Sequence, residues 1–455
     1  MGCSALYAIP ALVGVTACRL VAVGVTALTC LGTSRLLAIF LAADTQPSWI
    51  KRHATAFAWL FLFAQPCFTM NSFTVMTEML LACCWVWAAY VLLTRGNGST
   101  RRHDAGIIAA ALLLGLGGLM RPEGWIAIAA FPVGLFLWLR ITRPARPFPF
   151  RLLLLATFAA GLPSLCWYLL GVAGYHDPLW IIHKWPWSPK SQYGSRTEQF
   201  IEGALISMAL WLWVPIALAI VSLARGFFKP SGTPRNLTPH ALLLLVAPLI
   251  GFFCLHGFLG SFGLFGSMAL PRYFICVAPM AAILGVLGMI QAESILGRVR
   301  PLVPVFRALA IIAPLFTLAA LAYLGQLPCW PSQAICSLDV VINEVKQRVP
   351  ANEYTTRLII AHPYPIMQLG LPLGTPADIR STDAWSIEHA DAGTFLILEP
   401  QLWTNENRPS FDQLTAWGWQ EDKDITQKAD AAHPPILFPF TYTAKGQARL
   451  WLKIR

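Results

Sequence analysis

Charged side chains are rare in this chain, and a few of them interrupt long apolar runs. Glu78 follows Thr77 about one and a half turns into such a run. A charge at the centre of a membrane helix costs about 3 kcal/mol unless it is paired or hydrated. The sequence therefore predicts either a catalytic carboxylate in a wet cavity or a hydrogen-bond acceptor for a nearby helix end.

A second candidate is the turn Arg121-Pro122-Glu123-Gly124 between two apolar stretches. Pro122 disfavours helical backbone at Arg121, and Gly124 permits a sharp turn. Because a guanidinium fork suits phosphate, the turn predicts a phosphate-binding Arg121 with Glu123 as a second catalytic candidate. The alternative is a turn that carries its own ion pair.

The loop 173–203 concentrates aromatic and cationic residues. Loops of this length are often functional, and aromatic rings stack on sugar faces whereas cations neutralise phosphate. The predicted sugar-stacking residues are Trp185, Trp187 and Tyr193, and the predicted phosphate-binding residues are Lys184, Lys190 and Arg196. The alternative is an interfacial segment with an aromatic belt.

The last candidate is Arg272, in Pro271-Arg272-Tyr273 at the start of a late apolar run. An arginine at this level either contacts a lipid phosphate or extends to the headgroups as a membrane anchor. The residue pattern alone favours the anchor.

Composition identifies the class of protein. Charged residues make up 12% of the 455 residues and hydrophobic residues 56%, whereas soluble domains carry about 25% charged residues. This excludes a soluble enzyme, a disordered chain and a nucleic-acid binder. Residues 1–326 hold 22 Lys and Arg against 8 Asp and Glu, and residues 327–455 hold 11 against 14. We therefore expect a transmembrane domain over 1–326 and a soluble domain over 327–455.

Apolar runs of about 20 residues predict membrane-spanning helices. Ten are predicted, at 10–42, 54–69, 73–94, 105–120, 124–140, 150–172, 204–226, 239–258, 270–292 and 304–326. The short pairs 54–69/73–94 and 105–120/124–140 could each be re-entrant instead. Cationic loops alternate along the chain, which predicts that Lys51 and Arg52 are cytoplasmic and that the C-terminal domain is extracytoplasmic.

The tail has periodicities of both helix and strand. Residues 340–349 and 411–417 predict helices, and residues 356–361, 394–398 and 449–454 predict strands. The fold class is therefore an all-α polytopic membrane protein of about ten helices with a small C-terminal α/β domain. Because the tail has no catalytic constellation, we expect it to cap a substrate or to be structural.

Taken together, Thr77-Glu78, Arg121-Pro122-Glu123-Gly124, Pro271-Arg272-Tyr273 and the soluble tail resemble polytopic glycosyltransferases of the GT-C type. The resemblance covers about residues 5–326. Within that type, the chain is similar to the polyprenyl- or dolichyl-phosphate-sugar mannosyltransferases and to bacterial relatives that transfer aminoarabinose or mannose.

The resemblance implies an enzyme that transfers a sugar from a polyprenyl-phosphate carrier to a lipid, protein or glycan acceptor on the outer face. It implies an inverting reaction with a carboxylate base, and cations that stabilise the leaving phosphate. We also expect contact with membrane lipids, and we expect no nucleic-acid partner. The sequence has no recognisable metal-ligand spacing, so no cofactor is assigned. Whether the reaction needs a divalent cation is left open. The range of organisms that contain such enzymes favours a location in a bacterial inner membrane.

The chain departs from the family in one respect. Such enzymes usually carry a key Asp in the first outer loop, but the first span here begins at about residue 10 and Met1–Ile9 contain no acidic residue. The predicted topology also places the N-terminus outside, without a signal peptide. We therefore expect a shortened chain that lacks a first helix, or a member without the usual base. Division of 10–42 into two short segments would also explain the topology.

Two other functions remain open. A lipid-linked sugar transporter would need charges spread through the depth of several spans, because its substrate must cross. A non-catalytic scaffold would have scattered charges and no shared cavity. The glycosyltransferase hypothesis instead requires Glu78, Arg121, Glu123, Lys184, Arg196 and Arg272 to converge.

Overall fold

A computed structural model describes most of the chain. The described residues are 15–42, 48–72, 77–95, 100–120, 122–142, 149–179, 200–201, 204–205, 207–228, 237–262, 271–323, 333–360, 363–371, 384–399, 409–432 and 448–454. Contacts group the chain into two compact units, Met1–Cys329 and Trp330–Arg455. Each unit has its own hydrophobic core.

The first unit is helical throughout its described part. Its helices are α1 (Val15–Ala42), α2 (Trp49–Arg52), α3 (Ala54–Phe63), α4 (Pro66–Asn71), α5 (Thr77–Arg95), α6 (Thr100–Met120), α7 (Pro122–Thr142), α8 (Phe150–Tyr175), α9 (Trp213–Phe228), α10 (238–261, with a π-helical turn at Leu242–Val246), α11 (Ala278–Leu296) and α12 (Leu302–Tyr323). A 3-10 helix, Pro271–Val277, leads into α11, and another, Leu210–Leu212, leads into α9.

Within the described residues, nine helices are long and apolar enough to cross a membrane. The chain is therefore a multi-pass integral membrane protein. Helix α1 is continuous over its 28 residues, so its division into two short segments is wrong. Helices α6 and α7 each have 21 residues, which is enough for each to cross by itself.

The span predicted at 54–69 is instead two short helices. Helix α3 ends at Phe63 and α4 begins at Pro66, so neither is long enough to cross alone. Proline lacks the N–H that a continuing helix needs, but it fits the first position of a new one. The run is apolar as predicted, but the prediction of one continuous spanning helix is wrong.

Side chains donate to backbone carbonyls at this break and to one in the adjacent helix. The buried Gln65 donates from Nε2 to the carbonyls of Phe61, at 3.2 Å, and Ala278, at 3.1 Å. Thr69 donates to the carbonyl of Phe63. Such pairing is required because the bilayer offers no water to replace a missing hydrogen bond.

The broken segment runs antiparallel to α11 over its whole length. Ile50 donates its N–H to Glu293 near the end of α11, and Gln65 contacts Ala278 at its start. Helix α4 packs against the 3-10 helix Pro271–Val277. Together, α3 and α4 therefore cover the same depth of the bundle as one long helix.

Helix α11 is buried on nearly all sides and forms the centre of the first unit. Glycines make this close packing feasible. A Cβ on Gly288 would lie 1.8 Å from the carbonyl oxygen of Pro215 in α9, and a Cβ on Gly285 would lie 2.6 Å from Leu212 Cδ1. Small residues in membrane helices permit this backbone-to-backbone approach.

The second unit contains a mixed four-stranded sheet. Its strands are β1 (Leu358–Ile360), β2 (Phe395–Leu398), β3 (Trp419–Glu421) and β4 (Arg449–Lys453), in the order β1-β2-β4-β3. Strands β1 and β2 are parallel, and β4 is antiparallel to both β2 and β3. The small α/β character predicted for the tail is confirmed.

Short helices surround this sheet. They are α13 (Gln333–Arg348), α14 (Tyr354–Arg357), α15 (Pro363–Gln368), α16 (Ala384–Glu388), α17 (Phe411–Ala416) and α18 (Lys423–Ala431). Asp422 caps α18 by accepting the Ile425 N–H at 3.1 Å, and it pairs with Arg348 at 2.6 Å. Burial alone would raise the pKa of Asp422, but these two partners hold it below its ordinary value.

Substitution of Gly288 by alanine tests the close contact between α9 and α11. The new methyl group would meet a backbone carbonyl that cannot rotate away. We expect Gly288→Ala to lower the free energy of unfolding by about 1–3 kcal/mol, the usual cost of overpacking. Titration of the purified protein with denaturing detergent in mixed micelles measures this change.

Gly24→Ala is the matched control, because a Cβ on Gly24 meets nothing within 4 Å. Alanine there removes up to about 1 kcal/mol of helix-propensity cost and adds no clash. Equal stability of the two variants would contradict the close contact.

Candidate functional site

Glu78 lies in the first turn of α5, and its side chain is almost fully buried, at 1% exposure. The Thr77 hydroxyl donates to its carboxylate at 2.9 Å. The unpaired N–H groups of a helix N-terminus favour negative charge there. The helix N-terminus and the Thr77 hydroxyl therefore both favour a buried carboxylate at this position.

The segment that carries Arg272 is a direct neighbour of Glu78. The 3-10 helix Pro271–Val277 packs against both α4 and α5, and the Cys276 thiol donates to the carbonyl of Glu78 at 3.9 Å. Arg272 is four residues from Cys276, or about 8 Å along a 3-10 helix. Although the Arg272 side chain lies outside the described residues, its backbone is at the end of the bundle that contains Glu78, called here the Glu78 end.

The α6–α7 connection also lies at the Glu78 end. A Cβ on Gly117, near the end of α6, would lie 2.8 Å from Leu81 Cδ1 in α5. A Cβ on Gly124, in the first turn of α7, would lie 2.5 Å from the Cα of Gly118. The backbone of Glu123 therefore starts α7 close to α5, whereas Arg121 and the side chain of Glu123 lie outside the described residues.

An aromatic cluster adjoins Arg272. The buried His256 ring stacks on Tyr273, with centroids 5.4 Å apart, and contacts the Phe252 ring at 4.3 Å. Phe252 also packs against Phe274, with centroids 5.9 Å apart. Sequence reasoning assigned His256 no role. Its contact with the residue after Arg272 depends on the packing of α10 against the 3-10 helix.

An apolar cleft of about 590 Å³ leads away from this cluster. It lies between α7 and α10, and α5 contributes Trp85, Ala88, Ala89 and Leu92 to its lining. Phe252 lines one end of the cleft. Beyond the other end, the rings of Trp138 in α7 and His240 in α10 are in contact, with centroids 4.5 Å apart. Such a cleft matches the shape and polarity of a hydrocarbon chain.

The predicted loop residues lie outside the described part of the chain. These are Lys184, Trp185, Trp187, Lys190, Tyr193 and Arg196. Two hydrogen bonds stabilise the described start of the loop. Tyr168 donates its hydroxyl to the carbonyl of Pro178 at 2.6 Å, and Asp177 accepts the N–H of Leu179 at 2.8 Å. The roles of these six residues stay predictions.

No group of three or more His, Cys, Asp and Glu side chains able to hold a metal occurs among the described residues. The described residues of the candidate site can supply acid–base and electrostatic chemistry. A buried carboxylate and an arginine-bearing segment lie at one end of the bundle, and Phe252 connects this segment to the apolar cleft. Such an arrangement can hold an amphipathic phosphate and accept a proton beside it.

The sequence of this chain matches no protein-family model and no curated protein. Among solved structures, the chain is similar to ArnT from Cupriavidus metallidurans bound to undecaprenyl phosphate. The TM-score is 0.51 and the sequence identity 15%, over 96% of this chain and 84% of ArnT. The predicted fold resemblance is confirmed: the chain has the fold of ArnT, a GT-C glycosyltransferase.

Proposed function

We propose that the chain is a membrane glycosyltransferase that takes a sugar from a polyprenyl-phosphate carrier. The observation that carries this proposal is that the Arg272 segment contacts both the backbone of buried Glu78 and Phe252, which lines the apolar cleft of a GT-C-type bundle. The ArnT structure is bound to undecaprenyl phosphate, which is the class of lipid that this arrangement suits.

In the proposed reaction, an acceptor oxygen attacks the anomeric carbon of the sugar. A new carbon–oxygen bond forms while the bond from that carbon to the lipid phosphate breaks. A carboxylate, Glu78 or Glu123, takes the proton from the acceptor. Arg272, with Arg121 and the loop cations, stabilises the charge that develops on the leaving phosphate. The proposed site is extracytoplasmic, at an inner membrane.

In this proposal, the cleft binds the hydrocarbon chain of the carrier and so contributes the apolar part of its binding free energy. Each buried methylene group contributes about 0.8 kcal/mol, so a few isoprene units against α5, α7 and α10 hold the carrier firmly. In the proposed binding mode, the phosphate lies at the Phe252 end of the cleft, beside the 3-10 helix whose backbone contains Arg272.

Arg272→Gln tests phosphate binding by the purified protein in nanodiscs. We expect the affinity for undecaprenyl phosphate to fall at least about ten-fold, because a charge-assisted hydrogen bond is lost. Native mass spectrometry measures this binding without knowledge of the sugar. Arg298→Gln, at the opposite end of α11, is the control. Unchanged affinity in Arg272→Gln would contradict the assigned phosphate position.

Glu78→Gln and Glu123→Gln test the base. Each keeps the shape of the side chain and removes its ability to take a proton. We expect one of them to lower turnover about 10²–10⁴-fold with little change in carrier binding. Release of undecaprenyl phosphate from a panel of polyprenyl-phosphate sugars measures turnover. If both variants keep full turnover, neither carboxylate is the base.

Gly134→Phe tests the cleft. Gly134 lines the cleft, and a Cβ there meets nothing within 4 Å, so the new ring has open space to enter. We expect the affinity for undecaprenyl phosphate to fall about ten-fold, from lost methylene burial, while that for geranyl phosphate changes less. Gly24→Phe on α1 is the control. Equal effects on long and short lipids would contradict occupation of the cleft by the chain.

A further inference from the structure

The length of the apolar cleft limits how much of a lipid chain it can hold. Its lining residues on α10 run from Leu243 to Leu255, and those on α7 run from Ile126 to Leu137. Because an α-helix rises about 1.5 Å per residue, both walls are roughly 17 Å long. The cleft therefore covers about half of the roughly 30 Å of hydrocarbon in a bilayer.

The volume of the cleft, about 590 Å³, gives a similar limit. A methylene group is close in size to a water molecule, which takes up about 30 Å³ in the liquid, so the cleft holds about 20 carbon atoms. This corresponds to about four isoprene units of five carbons each. At about 1.2 Å per bond and four main-chain bonds per unit, such a chain is about 19 Å long, which matches the walls.

The end of the cleft far from Phe252 is closed by two rings. Trp138 follows the lining residue Leu137, and His240 lies about one turn before the lining residue Leu243. The two rings are buried, at 0% and 9% exposure, and their edge-on contact joins α7 to α10. A chain therefore cannot continue between these helices beyond that level.

One long side of the cleft is open to the bilayer. Ile126, Val133 and Leu137 line the cleft and are exposed at 47%, 64% and 45%. A chain longer than the cleft can leave across this side into the lipid. Lipid tails are about as apolar as leucine side chains, so isoprene units that lie in the bilayer add little to the free energy of binding.

Two glycines give the cleft room for the methyl branches of an isoprenoid chain. Gly134 on α7 and Gly251 on α10 both line it, and a Cβ on either residue meets nothing within 4 Å. A branched chain gains more contacts in such recesses than a straight acyl chain does, because close contacts supply the dispersion energy.

We propose that the cleft recognises only about four isoprene units, those next to the phosphate. This limit rests on the proposed function, because the carrier chain is taken to occupy the cleft. The substrate class is then polyprenyl phosphates of at least about four units, whatever their total length. Geranylgeranyl phosphate should bind as well as undecaprenyl phosphate, and geranyl phosphate should bind much more weakly.

The test is the affinity of the purified full chain in nanodiscs for phosphates of increasing length. The probes are geranyl, farnesyl, geranylgeranyl and undecaprenyl phosphate at equal mole fractions of the membrane lipid, and native mass spectrometry measures binding. We expect affinity to rise at least about ten-fold from geranyl to geranylgeranyl phosphate, because ten more carbon atoms gain packing contacts. From geranylgeranyl to undecaprenyl phosphate it should change less than about two-fold.

A steady rise through undecaprenyl phosphate would show contacts beyond the cleft and overturn the four-unit limit. Equal affinity for all four probes would place the chain outside the cleft and overturn the limit as well. Either result keeps phosphate binding, and the proposed function with it. Failure of all four probes to bind would instead contradict the proposed function and the four-unit limit together.

Ala247→Phe tests the limit by shortening the cleft. Ala247 is exposed, lines the α10 wall and is five residues from Phe252, so a ring there leaves about 8 Å of cleft, or about two isoprene units. We expect the affinities for geranylgeranyl and undecaprenyl phosphate to fall to about that for geranyl phosphate. Wild-type binding of geranyl phosphate would show that the variant is folded.

Ala308→Phe is the matched control, because Ala308 is an exposed alanine on α12 that does not line the cleft. It should keep the wild-type dependence of affinity on chain length. The same dependence in Ala247→Phe would overturn the proposal, because the chain would then bind elsewhere.

Discussion

The hydrogen bonds of Gln65 are the interaction on which the arrangement of the first unit depends. A break in a membrane helix exposes carbonyls that water cannot reach, and an unsatisfied one costs several kcal/mol. Gln65 donates to the end of α3 and also to Ala278, where the 3-10 helix becomes α11. One side chain thus stabilises two irregular points in adjacent segments. With Nε2 committed to two carbonyls, its Oε1 has no partner among the described residues.

The consequence reaches the candidate site through the 3-10 helix. Because Ala278 is held by Gln65, the preceding turns lie against α4 and α5, where the Cys276 thiol meets the carbonyl of Glu78. The same turns contact Phe252 and His256 through Tyr273 and Phe274. The carboxylate, the arginine-bearing segment and the mouth of the apolar cleft are therefore positioned by one irregular stretch of backbone.

Much of this fold could be predicted from the sequence, and the reason is the bilayer. Spans such as α8 and α10 follow directly from the length of their apolar runs. The break at Pro66 was missed because hydropathy reports composition and not the partners of carbonyl groups. In the second unit, α18 and β3 were missed because each is short and depends on tertiary contacts, as when Asp422 caps α18 through Ile425.

The site was only partly predictable for a similar reason. Glu78 stood out because a carboxylate in an apolar run is costly. Its neighbour Cys276 is 198 residues away in sequence, so their contact follows from helix packing and from no local pattern. The contacts of Gln65 and His256 also follow from helix packing, because in the sequence each is a single polar residue within an apolar run.

The contact between Gly288 and Pro215 also limits how this protein can move. Where two helix backbones touch without side chains between them, sliding or rocking has no soft layer to deform, and any shift separates or compresses the main chains. We therefore expect α9 and α11 to move together as a pair in any rearrangement of the bundle.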